Sequence, residues 1–115
     1  MRYIIPKIPP SNNRYIGRSN RWEYQNDKKF WAKLVYTFCT PKPKEPLEKC
    51  VVRLTYYFPD RRRRDPDNYS GKMILDGLVK AGILKDDCFG KIELVLLGLV
   101  DRRHPRTEIE IIGKR

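Results

Sequence analysis

The sequence predicts a single α+β domain. About four strands form a mostly antiparallel sheet packed with two helices, in the chain order β-α-β-α-β-β. Three observations predict it. Cys50–Phe58 and residues 107–112 alternate apolar and polar side chains, the period of a half-buried strand. Residues 23–39 and 68–81 instead carry apolar residues at helical spacing. The 115 residues set one domain, 1–115, with one modest core.

Taken in order, residues 2–8 predict a short strand that ends at Pro9-Pro10. A basic loop comes next, through Arg14, Tyr15, Arg18 and Trp22. It reads as a surface turn or as an element that touches nucleic-acid backbone. In residues 23–39 Trp31, Leu34, Val35 and Phe38 fall at i, i+3, i+4 and i+7, one apolar face bound for the core. Pro41, Pro43 and Pro46 end that helix and stiffen the linker. In Cys50–Phe58 one face carries Val52, Leu54, Tyr56 and Phe58, the other Val51, Arg53, Thr55 and Tyr57. Residues 68–81 have Ile74, Leu75, Leu78 and Val79 on one side, and Gly82 suits the helix stop. Ile92–Val100 is mostly apolar and reads as a central strand covered on both faces. After a turn that contains His104, residues 107–112 should pair antiparallel with that strand.

The charge distribution singles out one stretch. The chain is +11, yet residues 65–88 hold three Lys/Arg against five Asp/Glu, the only net-negative block. Four arginines, Arg61, Arg62, Arg63 and Arg64, run directly into Asp65-Pro66-Asp67-Asn68, and the block closes on Asp86-Asp87. Adjacent guanidinium groups suit phosphates. Carboxylates within a basic field suit Mg²⁺, which takes oxygen ligands and accepts phosphate oxygens in its open positions. In an extended segment Asp65 and Asp67 would point the same way, and a strand, helix and loop return would bring one of Asp86 and Asp87 beside them. Asp67 as a helix cap, Asp86-Asp87 as a solvated turn, and Lys72–Asp76 as a structural i,i+4 ion pair are the plainer alternatives. A calcium-binding EF-hand loop is excluded: counted from Asp65, Gly71 falls at position seven, Tyr69 at a ligand position and Asp76 where a Glu is needed.

Cys39, Cys50 and Cys88 include no C-x-x-C pair, which predicts reduced thiols, no zinc and a cytoplasmic setting. No apolar run is long enough for a membrane span, and the first residues lack the apolar stretch of a signal peptide.

Asp65-Pro66-Asp67-Asn68, Lys72, Leu75-Asp76-Gly77-Leu78, Asp86-Asp87 and the N-terminal Pro9-Pro10-Ser11-Asn12-Asn13 together resemble the RusA-like Holliday junction endonucleases. That family carries a D-x-D-N motif, a lysine in the next helix, L-D-x-L, a D-D pair and P-P-S-x-N. The lysine and the D-D pair lie one residue further on here than in the best-known member, so a one-residue insertion near 69–71 keeps Lys72 and Asp87 as the equivalents. The resemblance implies a Mg²⁺-dependent, homodimeric crossover junction endodeoxyribonuclease of DNA recombination and repair, often carried by phages and prophages. It implies Asp65, Asp67, Lys72 and Asp87 as catalytic residues and Asp65, Asp67 and Asp87 as metal ligands, with Asp86 the alternative. Arg14, Arg18 and Arg61 to Arg64 would contact branched DNA. From another class, a non-catalytic DNA-binding protein, a regulator or single-strand binder, fits the charge but leaves the clustered carboxylates unexplained. An RNA-binding protein fits the charge as well.

Overall fold

Strand β2 (Cys50–Phe58) organises the molecule because its alternation gives it one wholly apolar face: Val52 and Leu54 are completely buried, Tyr56 and Phe58 nearly so. The computed structural model describes residues 1–16 and 21–114. Around β2 stand β1 (Arg2–Ile5), α1 (Arg21–Phe38), α2 (Lys72–Lys80), β3 (Ile92–Val100) and β4 (Arg106–Gly113), the predicted order of elements. Short 3-10 turns occupy Asn12–Tyr15 and Pro66–Asn68.

The four strands form one mixed sheet in the order β1-β4-β2-β3. β4 runs antiparallel to β1 (Tyr3 opposite Ile109) and to β2 (Leu54 opposite Ile109). β3 runs parallel to β2, from Cys50 opposite Ile92 to Phe58 opposite Val100. Two sequence expectations are corrected here. β4 pairs with β1 and β2, not with the strand before it. β3 lies at the sheet edge, not its centre. The cause is the crossover: α2 carries the chain back along β2, so β3 must start at the end where β2 starts and run the same way. β4 then reverses and takes the other side of β2. In consequence Leu94, Val95, Leu97, Leu99 and Val100 of β3 are exposed.

The core is one cluster. Tyr3 and Ile5 of β1, the inward face of β2, and Ile109 and Ile111 of β4 meet Trp31 and Val35 of α1 and Met73, Ile74, Leu75 and Leu78 of α2. Each fully buried Leu or Ile contributes about 1.5–3 kcal/mol. On α1 the buried line runs Trp31, Val35, Cys39; Phe38, expected inside, is exposed because it falls one position off that line. The two helices approach closely at Gly77, where a Cβ would lie 2.9 Å from Val35 Cγ2.

α2 begins at Lys72, four residues later than the periodicity suggests. Gly71 precedes it with φ +82°, and a Cβ there would fall 2.3 Å from Leu54 Cδ1. Only glycine meets both demands. The helix ends as expected at Gly82, φ +78°, with the Ile83 amide donating to Leu78 O at 3.0 Å. Among the described residues no helix is long and apolar enough to cross a membrane.

Candidate metal and nucleic-acid site

The loop between β2 and α2 carries most of the singled-out residues. Pro59-Asp60 turns the chain out of the sheet, and the Asp60 carboxylate organises the arginine run behind it. It accepts the Arg62 amide at 3.0 Å and pairs with the Arg64 guanidinium at 2.9 Å. Those contacts, the Arg62 amide first, hold the Asp60 carboxyl below its ordinary range. Arg64 is thereby turned inward: its guanidinium stacks 4.3 Å from the Phe58 ring and donates to the Asp60 and Arg62 carbonyls. It is a structural residue of the loop. Arg61, Arg62 and Arg63 are exposed, and Arg63 Nε reaches Asp65 Oδ1 at 3.3 Å.

Asp65 is extended (φ −102°, ψ 139°), as a residue before proline should be. Asp67, however, lies in the 3-10 turn Pro66–Asn68, closed by the Asn68 amide on Asp65 O and the Tyr69 amide on Pro66 O, both 3.0 Å. The alternation that was to aim Asp65 and Asp67 the same way does not operate in a turn. Asp65 is half-exposed and Asp67 exposed. The turn is pinned from the N-terminal segment: Asn12 Nδ2 donates to Asp67 O at 3.1 Å and to Ser70 Oγ at 3.3 Å. The physical role of Asn12 was not legible in the sequence, which showed it only as one letter of P-P-S-x-N.

Lys72 opens α2 and lies 3.4 Å from Asp76 Oδ1, the plainer i,i+4 pair. Asp76 also meets Lys28 of α1 at 3.6 Å, so it ties the two helices together and holds Lys72 over the helix start.

Asp86 and Asp87 are elsewhere. Asp86 Oδ1 accepts the Asp87 amide at 2.8 Å, which commits Asp86 to its own turn and leaves Asp87 half-buried beside it. Their loop is rooted where β2 begins: the Lys85 amide donates to Leu47 O, and Glu48 binds Lys85 at 2.8 Å and Lys91 at 2.9 Å. Those two lysines, Lys85 foremost, push the Glu48 carboxyl down to about 2. Asp65 belongs to the opposite end, in a cavity of about 240 Å³ shared with Tyr56, Phe58, Tyr69 and Gly98. Cys50 and Phe58 mark the two ends of β2, separated by roughly 26 Å at ~3.3 Å per residue. The return through α2 therefore does not bring the acidic pairs together within one chain. Among the described residues no group of three or more His, Cys, Asp or Glu side chains is placed to share a metal ion.

The N-terminal basic loop is partly internal. Arg14 Nε donates to Glu23 at 2.8 Å, and Asp27 lies 3.7 Å away. Tyr15 donates to Asp27 at 2.7 Å and packs edge-on against Tyr24. Burial, then that hydrogen bond, raises the Tyr15 pKa. These two residues brace α1 in this conformation; Trp22 stays exposed. Arg18 lies outside the described residues. Cys39 and Cys50 are buried thiols and Cys88 is an exposed one. Compared with known proteins, the chain matches no family model and no curated protein.

Proposed function

We propose that this chain is a Mg²⁺-dependent, structure-selective endonuclease that cleaves four-way DNA junctions as a two-fold homodimer. The observation that carries the reading is the loop after β2, which presents Asp65 and Asp67 to solvent next to exposed Arg61, Arg62 and Arg63 in a +11 chain. Carboxylates so placed weaken binding of a polyanion unless a cation lies between them and the phosphate. Asp65 and Asp67 are oxygen donors of the kind Mg²⁺ takes, and bound Mg²⁺ supplies charge neutralisation at the scissile phosphate and a more acidic water.

The remaining ligand comes from a second copy. β3 is an uncovered edge strand with apolar side chains on both faces, and residues 92–101 are the longest run of the chain without a basic residue. Two +11 chains repel least along that strip, and an unpaired apolar edge is a template for another strand. Antiparallel pairing of β3 with its own copy sets the start of one β3 beside the end of the other. Asp87 of the partner subunit then approaches Asp65 and Asp67. Arg61, Arg62 and Arg63 hold the backbone of the branched DNA. Lys72, held by Asp76 at the start of α2, meets the charge that develops on the phosphate. The products are a 5′ phosphate and a 3′ hydroxyl.

A non-catalytic DNA-binding role is favoured by one observation, the separation of the acidic pairs within a single chain. Incubation with a labelled four-way junction and a matching linear duplex decides between them. Paired nicks in the junction alone, with Mg²⁺ and not with EDTA, support the endonuclease. Asp67→Asn should then abolish cutting and leave junction binding intact. Retention of whole junctions in Mg²⁺ would leave the binding role standing.

A further inference from the structure

We infer that Phe89 is a nucleobase-stacking residue, which inserts against an unpaired base at the branch point of the DNA. The inference rests on the endonuclease reading and adds to it the group that recognises branching. Phe89 is 105% exposed, more than any other large apolar side chain among the described residues; Trp22 is next at 78%. A phenyl ring held wholly in water has no packing role in the chain that carries it.

Its backbone, in contrast, is fixed. The Lys91 amide donates to Cys88 O at 2.9 Å, which puts Phe89 and Gly90 at the two middle positions of a tight turn. The Ile92 amide donates to the same carbonyl at 3.1 Å. At the loop's base the Glu48 carboxylate bridges Lys85 and Lys91, and Asp86 caps the amide of Asp87. A Cβ on Gly90 would meet nothing within 4 Å, so the second middle position of the turn is also open to solvent. The hydrogen-bonded turn fixes where the ring is attached, so only the side-chain torsions of Phe89 remain to be ordered when a flat partner arrives.

The neighbours of the ring define the chemistry of its partner. Phe89 stands two residues after Asp87, and the dimer along β3 carries both to the Asp65 and Asp67 loop of the other copy. A phosphate held there has its own bases within reach of the ring. Every base of a linear duplex is held between two stacked neighbours, whereas a pair at the branch point ends its arm and is more easily opened, so an aromatic ring rewards branched over linear DNA whatever its sequence.

The test uses the full-length protein and a four-way junction with 2-aminopurine at the branch, with Ca²⁺ in place of Mg²⁺, so that the carboxylates are neutralised and binding is read without cleavage. Wild type should raise the fluorescence by unstacking the probe. Phe89→Ala should lose that rise and bind the junction about 5- to 150-fold more weakly, with duplex affinity unchanged, and Phe89→Trp should restore both. An unchanged fluorescence rise and affinity in Phe89→Ala overturns the inference. So does loss of the dimer in Phe89→Ala by light scattering, which would make the ring a subunit contact. Cleavage in Mg²⁺ separates the two levels: failure of wild type to cut junctions sinks the endonuclease reading, whereas normal cutting with an unchanged Phe89→Ala signal sinks Phe89 alone.

Discussion

Gly71 shows how a single position sets the site. Its left-handed backbone and the 2.3 Å approach to Leu54 Cδ1 delay the start of α2, and the delay gives the chain room for the 3-10 turn that displays Asp67. Gly71→Ala should destabilise the fold by about 2–4 kcal/mol, the sum of backbone strain and overpacking. Urea unfolding checks this; a midpoint lowered with an unchanged slope is expected, a loss of only ~1 kcal/mol would mean that Leu54 yields and backbone strain alone remains, and no loss would overturn both. The residues legible in sequence at this scale were those whose meaning is local: Gly82 as a helix stop and Asp65 extended before proline; for Lys72 the pair with Asp76 was the plainer alternative to a catalytic role, and the pair is present. Arg64 and Arg14 were not legible. Arg64 was read with its neighbours as a phosphate contact beside the carboxylates, and Arg14 as part of a surface turn or a backbone-contacting element; one is turned inward by Asp60 and the Phe58 ring, and the other is held by Glu23. A run of like residues does not say which of its members a neighbouring carboxylate or ring will capture.

Among the elements, β2 emerged from the sequence with its bounds and both faces correct, because alternation of side chains reports which way each points. β3 emerged with correct bounds and the wrong neighbours. Apolar residues on both faces were read as cover on both, but hydropathy does not report cover, and Leu94, Val95, Leu97, Leu99 and Val100 are exposed in the single chain. The pairing of β4 failed for a related reason. A strand that succeeds another after a short turn is expected to fold back on it, but the helical crossover had already fixed the direction of β3, and β4 found both its partners in β1 and β2. If β3 is covered by a second copy, Leu97→Lys should leave a folded monomer at concentrations where wild type is dimeric. Light scattering with circular dichroism reads this directly, and a Leu97→Lys protein of unchanged mass would place the contact elsewhere.

At the scale of the molecule, the net charge and the acidic block between residues 65 and 88 were plain in the sequence, and so was the single α+β domain. The spatial relation of Asp65-Asp67 to Asp86-Asp87 was not, because it depends on a strand direction that spacing does not encode. A mixing experiment addresses that relation. Asp67→Asn and Asp87→Asn homodimers should each be inactive, and after exchange of subunits their equimolar mixture should recover about a quarter of the wild-type sites, each making single nicks. Half of the dimers would be mixed, and each of those would hold one complete set of carboxylates. A mixture that stays inactive although its subunits exchange would show that no site is shared. The parallel course of β2 and β3 has a further consequence under the proposed reading. Holding its acidic pairs at opposite poles, a solitary chain is harmless to DNA, and the rate per molecule falls on dilution; the abundance of the protein becomes the switch that arms it.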